Sequence, residues 1–270
     1  MAHNWSMSAT SSSRLPAGGV ERAALLAAFD AELQPERFKD YGPNGLQVEG
    51  RPRIGKIVSG VTASRALIDA AIAAGADALF VHHGLFWRGQ DGTVTGWMKQ
   101  RLQRLLAHDI NLLAYHLPLD AHPTLGNNAQ LGQRLGLLAT GRFGEQELGF
   151  IGHPAAGPGF DDAQALAHHL EHVLNRPVTQ VGQAQAAIKN IAWCSGGAQG
   201  YFEAAIAAGA QAFITGEISE PQAHLARECG VVFYACGHHA TERYGAPAMA
   251  AHVAARLGLA HEFIEIDNPA

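Results

Sequence analysis

The stretch IDAAIAAGADALF, residues 68–80, returns as FEAAIAAGAQAFI, residues 202–214. In each copy an Ala-rich apolar segment at helical spacing runs to a Gly, then into a short apolar run of strand type. Each copy follows a predicted strand and a short turn containing Gly or Ser. Coincidence between two Ala-rich helices is the plainer alternative, but repetition of an α/β unit is the natural explanation. An imperfect internal duplication of this kind predicts an α/β fold of two similar lobes. The copies differ in one telling place: His82 and His83 of the first stand where the second carries Gly216 and Glu217.

Working outward, strands and helices alternate. Apolar spacing predicts helices over 20–34, 64–75, 96–109, 161–175, 200–208, 219–229 and 240–257. Strands are predicted over 54–61, 77–83, 110–116, 189–194, 211–216, 231–236 and 262–266. Alternation of this kind implies α/β layers around a largely parallel core.

The chain has 270 residues, 47% hydrophobic and 16% charged, a globular composition able to bury a substantial core. A net charge of −5 argues against wholesale nucleic-acid binding. The stretch from Ala66 to Val81 is broken by Asp69 and Asp77 and is too short to span a bilayer. Cys194, Cys229 and Cys236 form no CxxC pair, which favours a reducing, cytoplasmic setting over a disulfide scaffold. Residues 1–19 lack the basic-then-apolar order of a signal peptide and read as a flexible leader.

The unusual count is 15 His beside 19 Lys+Arg. Three segments carry polar groups just after predicted strands: VHHGLFW (81–87), YHLPLDAH (115–122) and YACGHHATERYG (234–245). In parallel sheets ligands bind beyond the carboxyl ends of the strands, so these segments are expected to open onto one edge. They bring His82, His83, His116, Asp120, His122, His238, His239 and Glu242. Imidazole with carboxylate suits a first-row divalent metal such as Zn, Mn, Fe, Co or Ni. So many groups exceed one tetrahedral site and point to two ions. Adjacent His82 and His83 on a strand end face opposite ways and can each hold one ion. His238 and Glu242, four apart at a helix start, face the same way, and Glu242 has two oxygens with which to bridge.

The remaining histidines have plainer readings. His168 and His172 fall on the solvent side of their helix, His108, His252 and His261 read as surface positions, and His153 before Pro154 as a turn. His224 reads as structural. CSGGAQG (194–200) could cradle an anion on its amides, but lacks the Lys-Ser/Thr ending of a P-loop and reads better as a tight turn. Cys194 and Cys236 read as small buried hydrophobes.

At these residues the chain resembles the Nif-three-like dinuclear metal-centre family, also known as GTP cyclohydrolase I type 2 homologues. The resemblance runs from about Glu21 to Ile266. It is carried by DYGPNGLQVEG (40–50), VHHGLFW (81–87), YHLPLDAHPTLGNN (115–128), ITGEISEPQAHLA (214–226) and GHHATERYG (237–245). It implies a Nif-three-like fold and two divalent metals held by residues matching His82, His83, Asp120, His238 and Glu242, with Glu242 as the bridge. His116 matches a further family His close to the metals. The activity implied is a divalent-metal-dependent hydrolase in which an activated water attacks C8 of a guanine nucleotide, with His116, His122 or His239 moving protons. A toroidal homohexamer is also implied. The alternative is a non-catalytic, metal-binding hexameric ring that stores metal or binds a partner or nucleic acid. The expected division is a first lobe of residues 20–126 plus 237–270, carrying the metal site, and a second of 127–236.

Overall fold

The structure, a computed structural model, describes residues 18–184 and 186–270, so the expected leader lies outside it except for Gly18 and Gly19. In chain order, β1 (Val20–Glu21) leads into α1 (Arg22–Leu33), followed by β2 (Gly45–Val48), β3 (Arg53–Ile54) and β4 (Lys56–Thr62). Next come α2 (Arg65–Ala73), β5 (Ala78–His83), α3 (Gly96–Ala107), β6 (Asn111–Ala114), α4 (Leu117–Ala121) and α5 (Asn127–Arg134). A hairpin of β7 (Leu137–Phe143) and β8 (Gly149–Pro154) precedes α6 (Ala163–Leu174) and β9 (Thr179–Val181). The chain continues through β10 (Ile191–Trp193), α7 (Phe202–Ala207), β11 (Ala212–Thr215), α8 (Glu220–Cys229) and β12 (Val232–Ala235). It closes with α9 (His238–Glu242), α10 (Gly245–Leu257) and β13 (Ala260–Phe263).

Two main sheets result: five strands in the order β13-β4-β5-β6-β2, and six in the order β7-β8-β10-β11-β12-β9. The first is parallel except for the edge strand β2. The second is parallel only across β10, β11 and β12. The expectation of a largely parallel core is therefore corrected there: β7, β8 and β9 all pair antiparallel. A short turn between β7 and β8 permits only a hairpin, since a parallel pair needs a crossover.

The duplication is visible in hydrogen bonds. Asp77, at the entrance to β5, accepts the backbone N–H of Gly55 and Lys56 at 2.7 and 3.0 Å. Gln211, at the entrance to β11, accepts those of Lys189 and Asn190 at 2.8 and 2.9 Å. Every residue of the second set stands where the repeat places it. Helices α2 and α7 end alike, at Gly75 (φ 69°) and Gly209 (φ 83°), and only Gly takes this left-handed turn without strain. Thus β4-α2-β5-α3-β6 and β10-α7-β11-α8-β12 are two versions of one unit.

Each sheet is covered on both faces. Leu25 and Phe29 of α1 with Met249 and Val253 of α10 pack on Ile57, Phe80 and Leu113, while Leu67 of α2 and Leu105 of α3 cover the opposite face. Leu166 and Leu170 of α6 pack on Ile191, Ile214 and Tyr234, and Phe202 of α7 and Ala226 of α8 cover the other side. Each fully buried Phe or Leu contributes about 1.5–3 kcal/mol.

Three further expectations shift. Helix 240–257 divides into α9 and α10, and its start moves back to His238. The last strand occupies Ala260–Phe263 instead of 262–266, because the turn at Gly258 (φ 67°) brings the chain straight back to the sheet and Ala260 pairs at once with Lys56. His153 lies in β8, not in a turn. No helix among the described residues is long and apolar enough to cross a membrane.

Candidate metal centre

The three polar segments do converge, but across two sheets instead of along one edge. His82 and His83 end β5, His116 and Asp120 lie at and within α4 after β6, and His238 and Glu242 are the first and last residues of α9, after β12 of the six-stranded sheet. His82 Nε2 lies 3.5 Å from Asp120 Oδ1 and 3.4 Å from Glu242 Oε1. The other oxygen, Oε2, lies 3.3 Å from His83 Nε2 and 3.2 Å from His238 Nε2. Strand alternation alone would send His82 and His83 to opposite faces. At the end of β5 it relaxes: the rings lie 4.4 Å apart and address the same carboxylate through different oxygens.

Four imidazoles are each fixed through Nδ1. His82 Nδ1 meets Tyr115 O at 3.2 Å, His83 Nδ1 meets Thr62 Oγ1 at 3.1 Å, His116 Nδ1 meets Asp40 Oδ1 at 2.7 Å and His238 Nδ1 meets Glu217 Oε1 at 2.6 Å. In every case Nε2 is left as the nitrogen for the centre. Such outer partners fix the tautomer and aim of metal-ligating histidines. Ligand atoms of three sets, His82–His83–His116, His83–His238–Glu242 and His82–Asp120–Glu242, lie within 4.8 Å of one another.

The fit to cations shows in what the protein leaves unpaired. His82 Nε2 and Glu242 Oε2 are buried without a hydrogen-bond partner. An unpaired buried polar group costs about 1–3 kcal/mol, and a divalent ion among these nitrogens and oxygens is what would satisfy both.

Burial pushes the His82 imidazolium down, but the carboxylates of Asp120 and Glu242 outweigh it and raise its pKa to about 9. The Glu242 carboxylate, 3.2 Å from Nε2, outweighs burial and, aided by Glu217, raises His238 to about 9. For His83, burial together with repulsion from His82, His116 and His238 prevails over Glu242 and lowers the value to about 3. Glu242 stays well below the usual carboxylate range: burial raises it, but His82, His83 and His238 prevail. Burial raises Asp120.

Asp120 is braced by Asn127 Nδ2 at 2.9 Å and Ser195 Oγ at 3.2 Å. The turn at 194–200 packs directly on the centre. Its leading amides are engaged, Ser195 N to Asn128 Oδ1 at 2.7 Å and Gly196 N to Thr241 Oγ1 at 2.9 Å, in keeping with a tight turn. Gly196 (φ 70°) comes so near that a Cβ there would lie 1.9 Å from Glu242 Oε1.

Two expected proton carriers are not brought to the cluster. His122 accepts the Leu125 N–H at Nδ1 (3.0 Å) and turns Nε2 towards Glu32, 3.9 Å away. His239 pairs with Glu265. Successive helix positions turn by about 100°, so standing two residues after Asp120 or one after His238 did not carry these rings inward. His168 and His172 are exposed, as expected, and exposed His224 pairs with Glu220 at 2.7 Å. His261 is half-buried, 2.8 Å from Ser59 Oγ, not a surface position. All three cysteines are free, with Cys194 and Cys236 buried. Sequence reasoning missed Thr62, Asp40 and Glu217 as partners of the ring nitrogens. The last two lie in DYGPNGLQVEG and ITGEISEPQAHLA, where their acidic character was the available signal.

The centre opens into a cavity of about 470 Å³ walled by Tyr41, Trp87 and Tyr201, with His83, His238 and Glu242 at its base. A larger groove, about 950 Å³ beside Arg134 and Tyr244, holds no residue of the cluster.

Two related α/β sheets with a histidine–carboxylate cluster in their seam define a class of metal-competent α/β proteins. The chain belongs to the Duf34/NIF3 (NGG1p interacting factor 3) family, whose model matches residues 20–269. A relative from Neisseria meningitidis serogroup A, named GTP cyclohydrolase 1 type 2 homolog, is 53% identical over 251 residues, 93% of this chain and 100% of that protein. A protein of the same name from Escherichia coli is 46% identical, over 93% of this chain and 100% of its own length. Among solved structures, protein ybgI, described as of unknown function, superposes with a TM-score of 0.88 at 44% identity, covering 93% of this chain and 100% of that one. TTHA1606 from Thermus thermophilus gives 0.79 at 32% identity, over 93% and 100% respectively.

Proposed function

We propose that the protein is a dinuclear, divalent-metal-dependent hydrolase acting on a small nucleotide-like substrate. The observation that carries this is the pair of unpartnered buried atoms, His82 Nε2 and Glu242 Oε2, inside a cluster whose histidines are all tied back through Nδ1. His82, His83, Asp120, His238 and Glu242 would hold the ions, with Oε1 and Oε2 of Glu242 turned to different histidines. The chemistry a divalent pair supplies when bound is acidification of water and polarisation of a substrate oxygen or carbon–nitrogen bond.

The chain's own residues supply the rest. Asp40 accepts from His116 Nδ1 through Oδ1 and from the Leu117 N–H, at 2.9 Å, through Oδ2. His116 is therefore held with Nε2 as the atom that takes or returns a proton, and its ring lies 5.0 Å from that of His82. Trp87, edge-on to His116 at 5.0 Å, offers an apolar wall that excludes water and suits a flat ring. The relatives' shared name supports a purine nucleotide as substrate. The lobe division at 126/127 and 236/237, supported by the repeat, a cytoplasmic setting, supported by the unpaired cysteines, and a toroidal homohexamer, supported by the family resemblance, complete the reading.

Metal analysis coupled to hydrolysis assays on a panel of nucleotides and phosphoesters tests it. About two ions per chain and metal-dependent turnover are expected. Failure to retain Zn, Mn, Fe, Co or Ni after reconstitution would overturn it.

A further inference from the structure

The cavity above the centre contains a cation that the cluster does not use. Arg101, in the second turn of α3, lines this cavity, and among its described lining residues it is the sole Lys or Arg. Its guanidinium lies over the Trp97 ring, 4.8 Å from the centroid, which holds the plane of the fork. Neighbouring Arg104 on the same helix is neutralised by Asp69 at 2.6 Å. Arg101 has no such carboxylate among the described residues, and burial alone pulls it below its usual value.

A guanidinium presents N–H donors in a rigid fork matched to phosphate and carboxylate, and partial burial strengthens what it binds. Leaving it unpaired in an aromatic-walled cavity makes little sense for stability. It makes sense if the partner arrives with the ligand. The cavity volume, about 470 Å³, suits a small molecule of mononucleotide size.

We propose that Arg101 is the anion-binding subsite of this cavity, taking a phosphate or other anionic group of a substrate whose reacting part lies against the His82–Glu242 cluster. The inference rests on the proposed function and narrows it: substrates carry an anionic group, and Arg101 separates them from uncharged analogues. Glu145, which also lines the cavity, adds repulsion against wrongly placed anions.

The test uses full-length, metal-loaded protein with guanosine 5′-triphosphate and guanosine as probes, their binding read by calorimetry and tryptophan fluorescence. Wild type should prefer the phosphorylated probe. Arg101→Ala should lose about 10- to 100-fold of that preference, as expected for charge-assisted hydrogen bonds, and Arg101→Lys should restore part of it. Metal content should be equal in all three proteins, since Arg101 touches no proposed ligand. An Arg101→Ala variant that keeps the full preference overturns the inference, and so does a wild type that shows none. Loss of metal from wild type would instead strike the proposed function, so the two failures are distinguishable.

Discussion

Glu217 Oε1 and His238 Nδ1 lie 2.6 Å apart, joining the end of β11 to the start of α9. Glu217 stands in the second repeat where His83 stands in the first. One position thus meets the same cluster twice, entering it as a ring in one copy and aiming a neighbouring ring in the other. Glu217→Gln exchanges a charged acceptor for a neutral one and should weaken divalent-metal affinity by about 10- to 100-fold, with the fold intact because the side chain is half-exposed. Competition against a chelating dye reads this, and wild-type affinity in the variant would remove the role.

Gly196→Ala places a methyl group 1.9 Å from Glu242 Oε1 at a backbone φ of 70°. Neighbouring atoms cannot retreat, since Glu242 is buried between His82, His83 and His238. Overpacking of this sort costs about 1–3 kcal/mol. A lower melting temperature and reduced metal content should appear together. Unchanged values of both would mean that the loop yields.

Metal affinity should rise with pH. In the metal-free protein His82 and His238 hold protons up to about 9, above the ordinary 6.5, and each must lose its proton to offer Nε2. Affinity therefore increases from pH 7 towards 9 by up to about tenfold per unit for each proton displaced, then levels off. The metal-free fold follows the opposite sign. The stabilisation from the two raised histidines is complete below 6.5 and is lost as pH rises through about 9. Calorimetric titrations in buffers of different ionisation enthalpy would count the released protons, and a pH-independent affinity would exclude the scheme.

Asp40→Asn should leave metal content near that of wild type while slowing hydrolysis by about 100-fold or more, the usual scale for a proton-transfer group that loses its orientation. The pH–rate profile should move as well, since the charged partner of His116 Nδ1 is gone. A variant with an unaltered profile and rate would leave Asp40 a purely structural clamp.

What was legible in the chain, and what was not, divides along physical lines. The repeat at 68–80 and 202–214 disclosed the duplicated unit because side chains on both helices and strands kept the same apolar spacing. The paired histidines at the end of β5 and at the start of α9 stood out because strand ends and helix starts deliver side chains to one place. Strands β7 and β8 went unseen: the middle of Leu137–Phe143 is exposed and carries little apolar alternation. The Asp40–His116 pair spans 76 residues and leaves no local trace. His122 and His239 misled because closeness in sequence on a helix says nothing of the direction in which a ring points.

His82, His83 and Asp120 reach the seam from the five-stranded side, whereas His238 and Glu242 follow the last parallel strand of the other sheet, with Gly196 closed upon them. Neither repeat alone owns a complete set of donors. A cation gripped there would act as a late clasp: it could engage only after both halves had formed and met, and its stabilisation should be absent from the folding transition state. Chelation should then hasten unfolding while leaving refolding speed nearly untouched. The durability of the assembled protein would then be a matter of metal supply, and the pace of its making would not.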